Sequence, residues 1–162
     1  MQDQHSSLET IEKFFAQKRI AIVGVSRDPK SFSATLLKEF SCRGYDVVPV
    51  NPNMKEVLGR PCFARLQDIQ PPIQAALLMT SPAATEAIVR DCDRAGIRLV
   101  WMYRAEGQGA VSPEALEFCR LHNIEVVPGE CPFMFWEDSG LLHHLHGLIR
   151  KITGHYPQQT PA

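Results

Sequence analysis

The chain has 162 residues, 44% of them hydrophobic, with 17 Lys and Arg against 18 Asp and Glu and a formal charge of -1. That length suits one domain with a substantial core, and the interspersed, nearly balanced charges exclude a nonspecific electrostatic grip on nucleic acid or on an anionic membrane surface. The opening Met1-Gln-Asp-Gln-His-Ser-Ser7 lacks the basic and apolar regions of a targeting leader, and no apolar run approaches the roughly 18 to 20 residues that span a bilayer. Five cysteines without a C-x-x-C pair argue against a disulfide framework, so a cytoplasmic protein with reduced core thiols is expected.

From Ser7 to Gln17 the apolar residues Leu8, Ile11, Phe14 and Phe15 recur at helical spacing and predict an amphipathic helix. Arg19 to Val25 is the apolar run of a strand buried on both faces. Phe32 to Arg43 follows as a helix with Phe32, Leu36, Leu37 and Phe40 on one face, Ser31 or Ser33 as its N-cap and Gly44 as its stop. Asp46 to Val50 is the second strand, Asn51 to Arg60 a turn-rich connection, and Cys62 to Ile69 at most a short helix before the Pro71-Pro72 break. The third strand is Ala75 to Met79.

Ser81-Pro82 and Ser112-Pro113 each join a cap to proline at the first helical position, opening helices over Ala83 to Ala95 and Glu114 to His122. Gly96 stops the first of them. Strands at Arg98 to Met102 and Ile124 to Val127 complete a set of five, and a last helix is expected from Ser139 to Thr153, before a tail that is frayed or packed only in part. Strands alternating with helices imply an α/β fold: a single-domain, doubly wound, open parallel sheet of about five strands, Rossmann-like, with right-handed crossovers and the strand order 3-2-1-4-5.

The ligand crevice of such a sheet lies beyond the carboxyl ends of its strands. Those ends are Gly24 to Lys30, Asn51 to Asn53, Met79 to Pro82, Met102 to Arg104 and Gly129 to Pro132. Gly24 permits close backbone approach, and the amides from Val25 onward, at a helix start and helped by Ser26, Arg27, Lys30 and Ser33, suit a pyrophosphate. Dinucleotide domains usually place an Asp or Glu about 20 residues or more beyond the glycine turn to hold the ribose hydroxyls. Asn51 stands there instead, in Asn51-Pro52-Asn53. A carboxylate would repel a ribose bearing its own phosphate, whereas an amide, with Lys55 nearby and Arg27 and Lys30 across the cleft, accepts one. The pattern points to coenzyme A. The backbone at Thr80 and Ser81, another helix start beside the first strand, is placed to face the adenine or pantetheine arm.

Each feature also has a plainer reading. A single glycine is not G-x-G-x-x-G, and an ordinary strand-to-helix turn needs no more. Asn and Pro are common turn residues, Ser81 is explained as a cap, and Trp101 and Tyr103, flanking Met102, read as core rather than as a stacking platform. Cys131 is the one candidate nucleophile, for exchange with a thiol ligand or a redox response, but that requires a lowered pKa and a structural cysteine is the plainer reading. His143 and His146 lie one turn apart on the last predicted helix and invite a metal site completed by Cys131, but Arg150, one turn from His146, repels a cation, so a polar strip facing solvent, an anion or a second subunit is the stronger reading.

A non-catalytic carrier or sensor of CoA or an acyl-CoA is therefore set against two rivals. One is an NAD(P)-binding redox protein, against which Asn51 and the lone Gly24 argue. The other is a metal- or thiol-dependent enzyme using Cys131 with His143 and His146. The apolar run Phe133 to Trp136, outside the sheet, predicts a homodimer that covers it.

Ile20-Ala-Ile-Val-Gly-Val-Ser-Arg27, Gly44-Tyr-Asp-Val-Val-Pro-Val-Asn-Pro-Asn53, Leu58-Gly-Arg-Pro-Cys62, Leu99-Val-Trp-Met102 and Gly129-Glu-Cys-Pro132 together resemble the small single-domain CoA-binding proteins of the Rossmann type. The domain of that family is similar to the amino-terminal domain of the succinyl-CoA synthetase alpha subunit. The resemblance runs from Lys18 to about Pro132, which divides the chain into an N-terminal helix at 1–17, the domain at 18–132 and an extension with one helix at 133–162. It implies CoA or an acyl-CoA in the crevice, with Gly24 to Arg27, Asn51, Asn53, Thr80, Ser81 and Met102 as contact positions, and it implies no established reaction. Family members commonly have a short run of other residues after the Cys-Pro pair, which leaves Phe133-Met-Phe-Trp136 and the histidine-bearing helix outside the resemblance. The phosphohistidine of the synthetase belongs to the other half of that subunit and is not assigned to His143, His144 or His146.

Overall fold

The structure, a computed structural model, describes residues 7–104 and 107–136. Its helices are α1 (Leu8–Ala16), α2 (Phe32–Cys42), α3 (Pro82–Arg94) and α4 (Pro113–Leu121). All four start on a serine: the hydroxyls of Ser7, Ser31, Ser81 and Ser112 accept from the amides of Thr10, Ala34, Ala84 and Ala115, satisfying one of the donors that a helix start leaves free. Gly44 and Gly96, at φ +85° and +77°, turn the chain out of α2 and α3 as the sequence predicts.

The strands are β1 (Arg19–Val23), β2 (Asp46–Val50), the two-residue pair β3 (Glu56–Val57) and β4 (Arg60–Pro61), then β5 (Ala75–Leu78), β6 (Leu99–Met102) and β7 (Glu125–Pro128). Five of them form one parallel sheet, β2-β1-β5-β6-β7, and β3 and β4 form a separate antiparallel hairpin at the end of the turn-rich connection expected from Asn51 to Arg60. The α/β doubly wound class is as expected, but the strand order is not. Counted along the chain, the five parallel strands run 2-1-3-4-5 rather than 3-2-1-4-5.

The reason lies in β2. Its Pro49 has no N–H, and its carbonyl turns outward to accept from Phe63 N, so the missing donor falls on the outer margin, where proline is tolerated. A further isolated parallel bridge joins Val50 to Phe63. With that side occupied, the next long strand pairs with the other side of β1, where Ala21, Ile22 and Val23 lie opposite Ala76, Leu77 and Leu78.

Alternate residues of each strand enter two cores. Val23, Val50, Leu78, Val100 and Met102 meet α3, α4 and the short 3-10 turn Leu66–Asp68 on one face, while Ile20, Ile22, Leu77 and Trp101 meet α1 and α2 on the other. This alternation gives a sheet covered on both faces. α1 belongs to the core rather than to an appended arm: fully buried Phe14 meets Trp101 edge-on at 5.2 Å between ring centres. The Trp101 indole in turn donates to the Glu130 carbonyl at 2.8 Å, tying the loop after β7 to the sheet.

The run Phe133 to Trp136, expected to need a second subunit for cover, is covered in part by its own chain. It forms the 3-10 turn Pro132–Phe135, with Met134 and Trp136 buried. Trp136 packs edge-on against Phe40 at 4.8 Å, and the Arg43 guanidinium lies 4.2 Å from its ring centre. Phe133 and Phe135 stay half-buried, so part of the run remains open. The predicted helix Ser139 to Thr153, with His143, His144, His146 and Arg150, lies outside the described residues. Among the described residues no helix is long and apolar enough to cross a membrane.

Because Phe14 is fully enclosed and joins α1 to the sheet through Trp101, Phe14→Ala is expected to cost about 3 to 5 kcal/mol of stability, read as a lower midpoint in urea denaturation.

Candidate functional site

The strand order places the reversal of winding between β1 and β5, because the chain leaves β1 toward β2 on one side and returns as β5 on the other. Ligands of open α/β sheets bind outside the carboxyl ends of the strands at such a point. Here the loops after β1 and β5 touch. Gly24 has φ +89°, and a Cβ on it would lie 2.5 Å from the Met79 carbonyl oxygen and 3.0 Å from the Thr80 methyl. Gly24 N donates to Val50 O and Met79 N to Val23 O, which continues the sheet pairing up to the point of contact. Gly24, Met79 and Thr80 are thus brought together as the sequence predicts.

The loop from Gly24 to Ser31 is braced from within. Ser33 Oγ, almost fully buried in the first turn of α2, accepts from Ser26 N at 2.9 Å and shares a hydrogen bond with Ser31 Oγ at 3.1 Å. Ser26 Oγ accepts from Asp28 N, and Asp28 Oδ1 accepts from Lys30 N. Ser26 N and the Ser33 hydroxyl, expected to help hold an anion, are therefore spent on the shape of the loop. Among the described residues the amides of Val25, Arg27, Phe32 and Ser33 meet no acceptor. Phe32 and Ser33 supply these free donors in the first turn of α2, and Val25 and Arg27 in the loop before it. The Val25 side chain is fully buried, so only its backbone faces the crevice.

Asn51 ties the neighbouring loop to this one. Its amide nitrogen donates to Val25 O at 3.0 Å, and its amide oxygen accepts from Asn53 N at 2.9 Å, an Asx turn that fixes Asn51-Pro52-Asn53. Arg27 reaches across as expected and donates through Nη2 to Asn53 O at 3.0 Å. Pro52, Asn53, Lys30 and Lys55 are exposed on the same rim. An aspartate at position 51 could accept from Asn53 N but could not donate to Val25 O, so the amide is required by the loops themselves.

On the other side, Thr80 Oγ1 shares a 2.8 Å hydrogen bond with buried Thr85, and Ser81 caps α3, so the side chains of both are engaged locally. Met102 is fully buried and its carbonyl already accepts from Gly129 N at 2.8 Å, so the structure does not present it as the contact the sequence predicts. Trp101 is core, as read from the sequence, but Tyr103 is half-buried and stacks on Phe32, with ring centres 5.2 Å apart. Phe32 itself, expected on the inner face of α2, is 38% exposed. Phe32 was missed as a mouth residue because helical spacing counts it with Leu36 and Phe40, although a residue in the first turn stands beyond the edge of the sheet. Arg104, one of the strand-end residues read from the sequence, does meet another strand end: its guanidinium lies against Gly129, where a Cβ would come within 2.8 Å of Arg104 Nη2.

Cys131 is half-buried. Burial pushes its pKa up, a hydrogen bond with the Phe133 backbone offsets part of this, and the Glu130 carboxylate adds to the rise. The thiol is therefore held protonated at neutral pH, contrary to what a nucleophile needs. Among the described residues no group of three His, Cys, Asp or Glu is arranged to hold a metal ion. A separate open hollow of about 490 Å³ lies between α2 and the β3–β4 hairpin, lined by Leu37, Lys38, Ser41, Cys42, Leu58 and Arg60. None of the strand-end residues lines it.

Residues 18–137 match the model of a CoA binding domain. The chain belongs to the CoA-binding domain family. The match includes Phe133 to Trp136, which the sequence reading left outside the family. Relatives include the uncharacterized protein YneT of Bacillus subtilis, 27% identical over 126 residues that span 78% of this chain and 90% of that protein. An ADP-forming acetate–CoA ligase of Methanocaldococcus jannaschii is 19% identical over 118 residues, 70% of this chain but 17% of the ligase. Among solved structures, a hypothetical protein from Pyrococcus horikoshii superposes with a TM-score of 0.71 at 28% identity, covering 86% of this chain and 90% of that one.

Two outcomes are expected of this CoA-binding fold. Gly24→Ala, which forces a methyl group toward the Met79 carbonyl at positive φ, should lose about 1 to 3 kcal/mol of stability in chemical denaturation. In alkylation with iodoacetamide at pH 7, followed by mass spectrometry, exposed Cys42 should react before Cys131; reaction at Cys131 should keep rising above the roughly 8.5 of a free thiol, because its raised pKa moves thiolate formation to higher pH.

Proposed function

We propose that this chain binds CoA or an acyl-CoA across the carboxyl ends of β2, β1, β5 and β6, and that it acts as a non-catalytic carrier or sensor. Membership of the CoA-binding domain family supports the ligand class. The observation that carries the reading is the junction at Gly24, where two strand-end loops meet without a side chain between them, beside backbone amides that meet no acceptor among the described residues. A pyrophosphate bound there would accept hydrogen bonds from Val25, Arg27, Phe32 and Ser33 amides, with Arg27 and Lys30 supplying positive charge. Directly after β2 the chain places Asn51, where a dinucleotide domain carries its ribose-binding carboxylate, and this amide suits an adenosine carrying a ribose phosphate better than the bare ribose of NAD.

The non-catalytic assignment draws on the chemistry of the side chains. Cys131 is held as a thiol, and the hydroxyls of Ser26, Ser33, Thr80 and Ser81 are engaged in loop and cap hydrogen bonds. None has a base aimed at it among these contacts. The ligase relative is several times longer than the part matched here, so its reaction is not carried over.

Isothermal titration with CoA, acetyl-CoA, NAD and NADP should show preference for the CoA compounds, and Arg27→Ala should weaken them tenfold or more, since a charge-assisted hydrogen bond is worth about 1.5 to 3 kcal/mol. A clear preference for NAD would overturn the reading.

A further inference from the structure

The parallel strands of the sheet end in chemically different groups on the two sides of Gly24. On the β2 side stand amides and cations: Asn51, Asn53, Lys55 and, reaching over, Arg27. On the other side stand apolar residues, Met79 directly after β5, Tyr103 directly after β6 and Phe133 in the 3-10 turn that follows the loop after β7, all half-buried against the α2 side of the core. Phe32, in the first turn of α2, completes the group, with its ring centre 5.2 Å from that of Tyr103 and 5.7 Å from that of Phe133. Its 38% exposure is unusual beside the enclosed Leu36, Leu37 and Phe40 of the same helix.

With the phosphates at the glycine junction and the phosphorylated adenosine over the cationic β2 side, the remaining arm of the ligand has one direction left, across β5 toward β6 and β7. We propose that Phe32, Tyr103 and Phe133 form the subsite for the thioester end of that arm, and that the ligand is a CoA thioester with an apolar acyl chain rather than free CoA. This rests on CoA occupying the crevice as proposed above. The aromatic rings offer an acyl chain a surface already half withdrawn from water, at small ordering cost.

The Tyr103 hydroxyl adds polarity at one point. Among the described residues the contacts of Tyr103 are through the ring, to Phe32, and through the backbone, and burial, with a smaller contribution from Cys131, pushes its pKa up to about 12. It therefore keeps its proton and is available to donate to the thioester carbonyl, which free CoA lacks.

The test titrates the full chain with CoA, acetyl-CoA, butyryl-CoA and hexanoyl-CoA. Each fully buried methylene strengthens binding roughly fourfold, so hexanoyl-CoA should bind at least about tenfold tighter than acetyl-CoA even when the acyl chain is enclosed only in part. Phe32→Ala should abolish most of the gain with acyl length, read within that variant as the ratio of hexanoyl-CoA to acetyl-CoA affinity. Tyr103→Phe should weaken every thioester about fivefold relative to CoA, the effect of one neutral hydrogen bond, and keep the dependence on length. Equal affinities across the series in the unsubstituted chain, with CoA itself bound, would overturn the acyl subsite and leave the CoA reading standing. A length dependence that survives Phe32→Ala would overturn the role given to the aromatic wall. No binding of any member would overturn both.

Discussion

Two stretches of backbone, the turn at Gly24 and the carbonyl of Met79, approach so closely that no side chain fits between them. The rest of the mouth is arranged around that contact. Close approach needs β1 and β5 to be neighbours, which the occupied outer side of β2 enforces, and it needs a residue that adopts positive φ without penalty. With these loops joined, the segments that lead into α2 and α3 meet at the reversal point of the sheet.

The polar side chains around this contact are used mainly to hold shape. Ser33 fixes Ser26, Ser26 fixes Asp28, Asp28 fixes Lys30, and Asn51 joins the loops after β1 and β2. Such local bonds set the backbone before any ligand arrives, which lowers the ordering cost of binding. The loop after β7 is fixed differently, by the indole of a fully buried tryptophan that also carries the packing of α1. Core and mouth are mechanically joined at Trp101.

Much of this is legible in the sequence because local signals agree with the fold. Four serine caps, glycine stops after α2 and α3, and apolar strand runs give the elements to within a residue or two. Gly24, Arg27, Asn51 and Thr80 converge as strand-end logic requires. Strand order was less legible, because handedness leaves open on which side of β1 the third strand lies; Pro49, a residue suited to a margin, was the signal. Phe32 and the run Phe133 to Trp136 were misread for one reason. Periodicity says that a side chain is apolar and on a given face, but not how far the neighbouring layer extends, so one residue counted as interior is 38% exposed and a run counted as surplus has Met134 and Trp136 buried in its own chain.

Pro49 also governs what can happen along the outside of the sheet. An unprotected strand margin is a template on which another extended chain can add through its own main-chain bonds. Here one donor is missing by covalent structure, and the adjacent carbonyl is already taken by Phe63, with the short hairpin following directly in the chain. The same imino acid that directs the third long strand inward therefore makes this flank a poor seed for continuous sheet growth, and the protein gains resistance to edge-to-edge aggregation from a residue whose first effect is on topology.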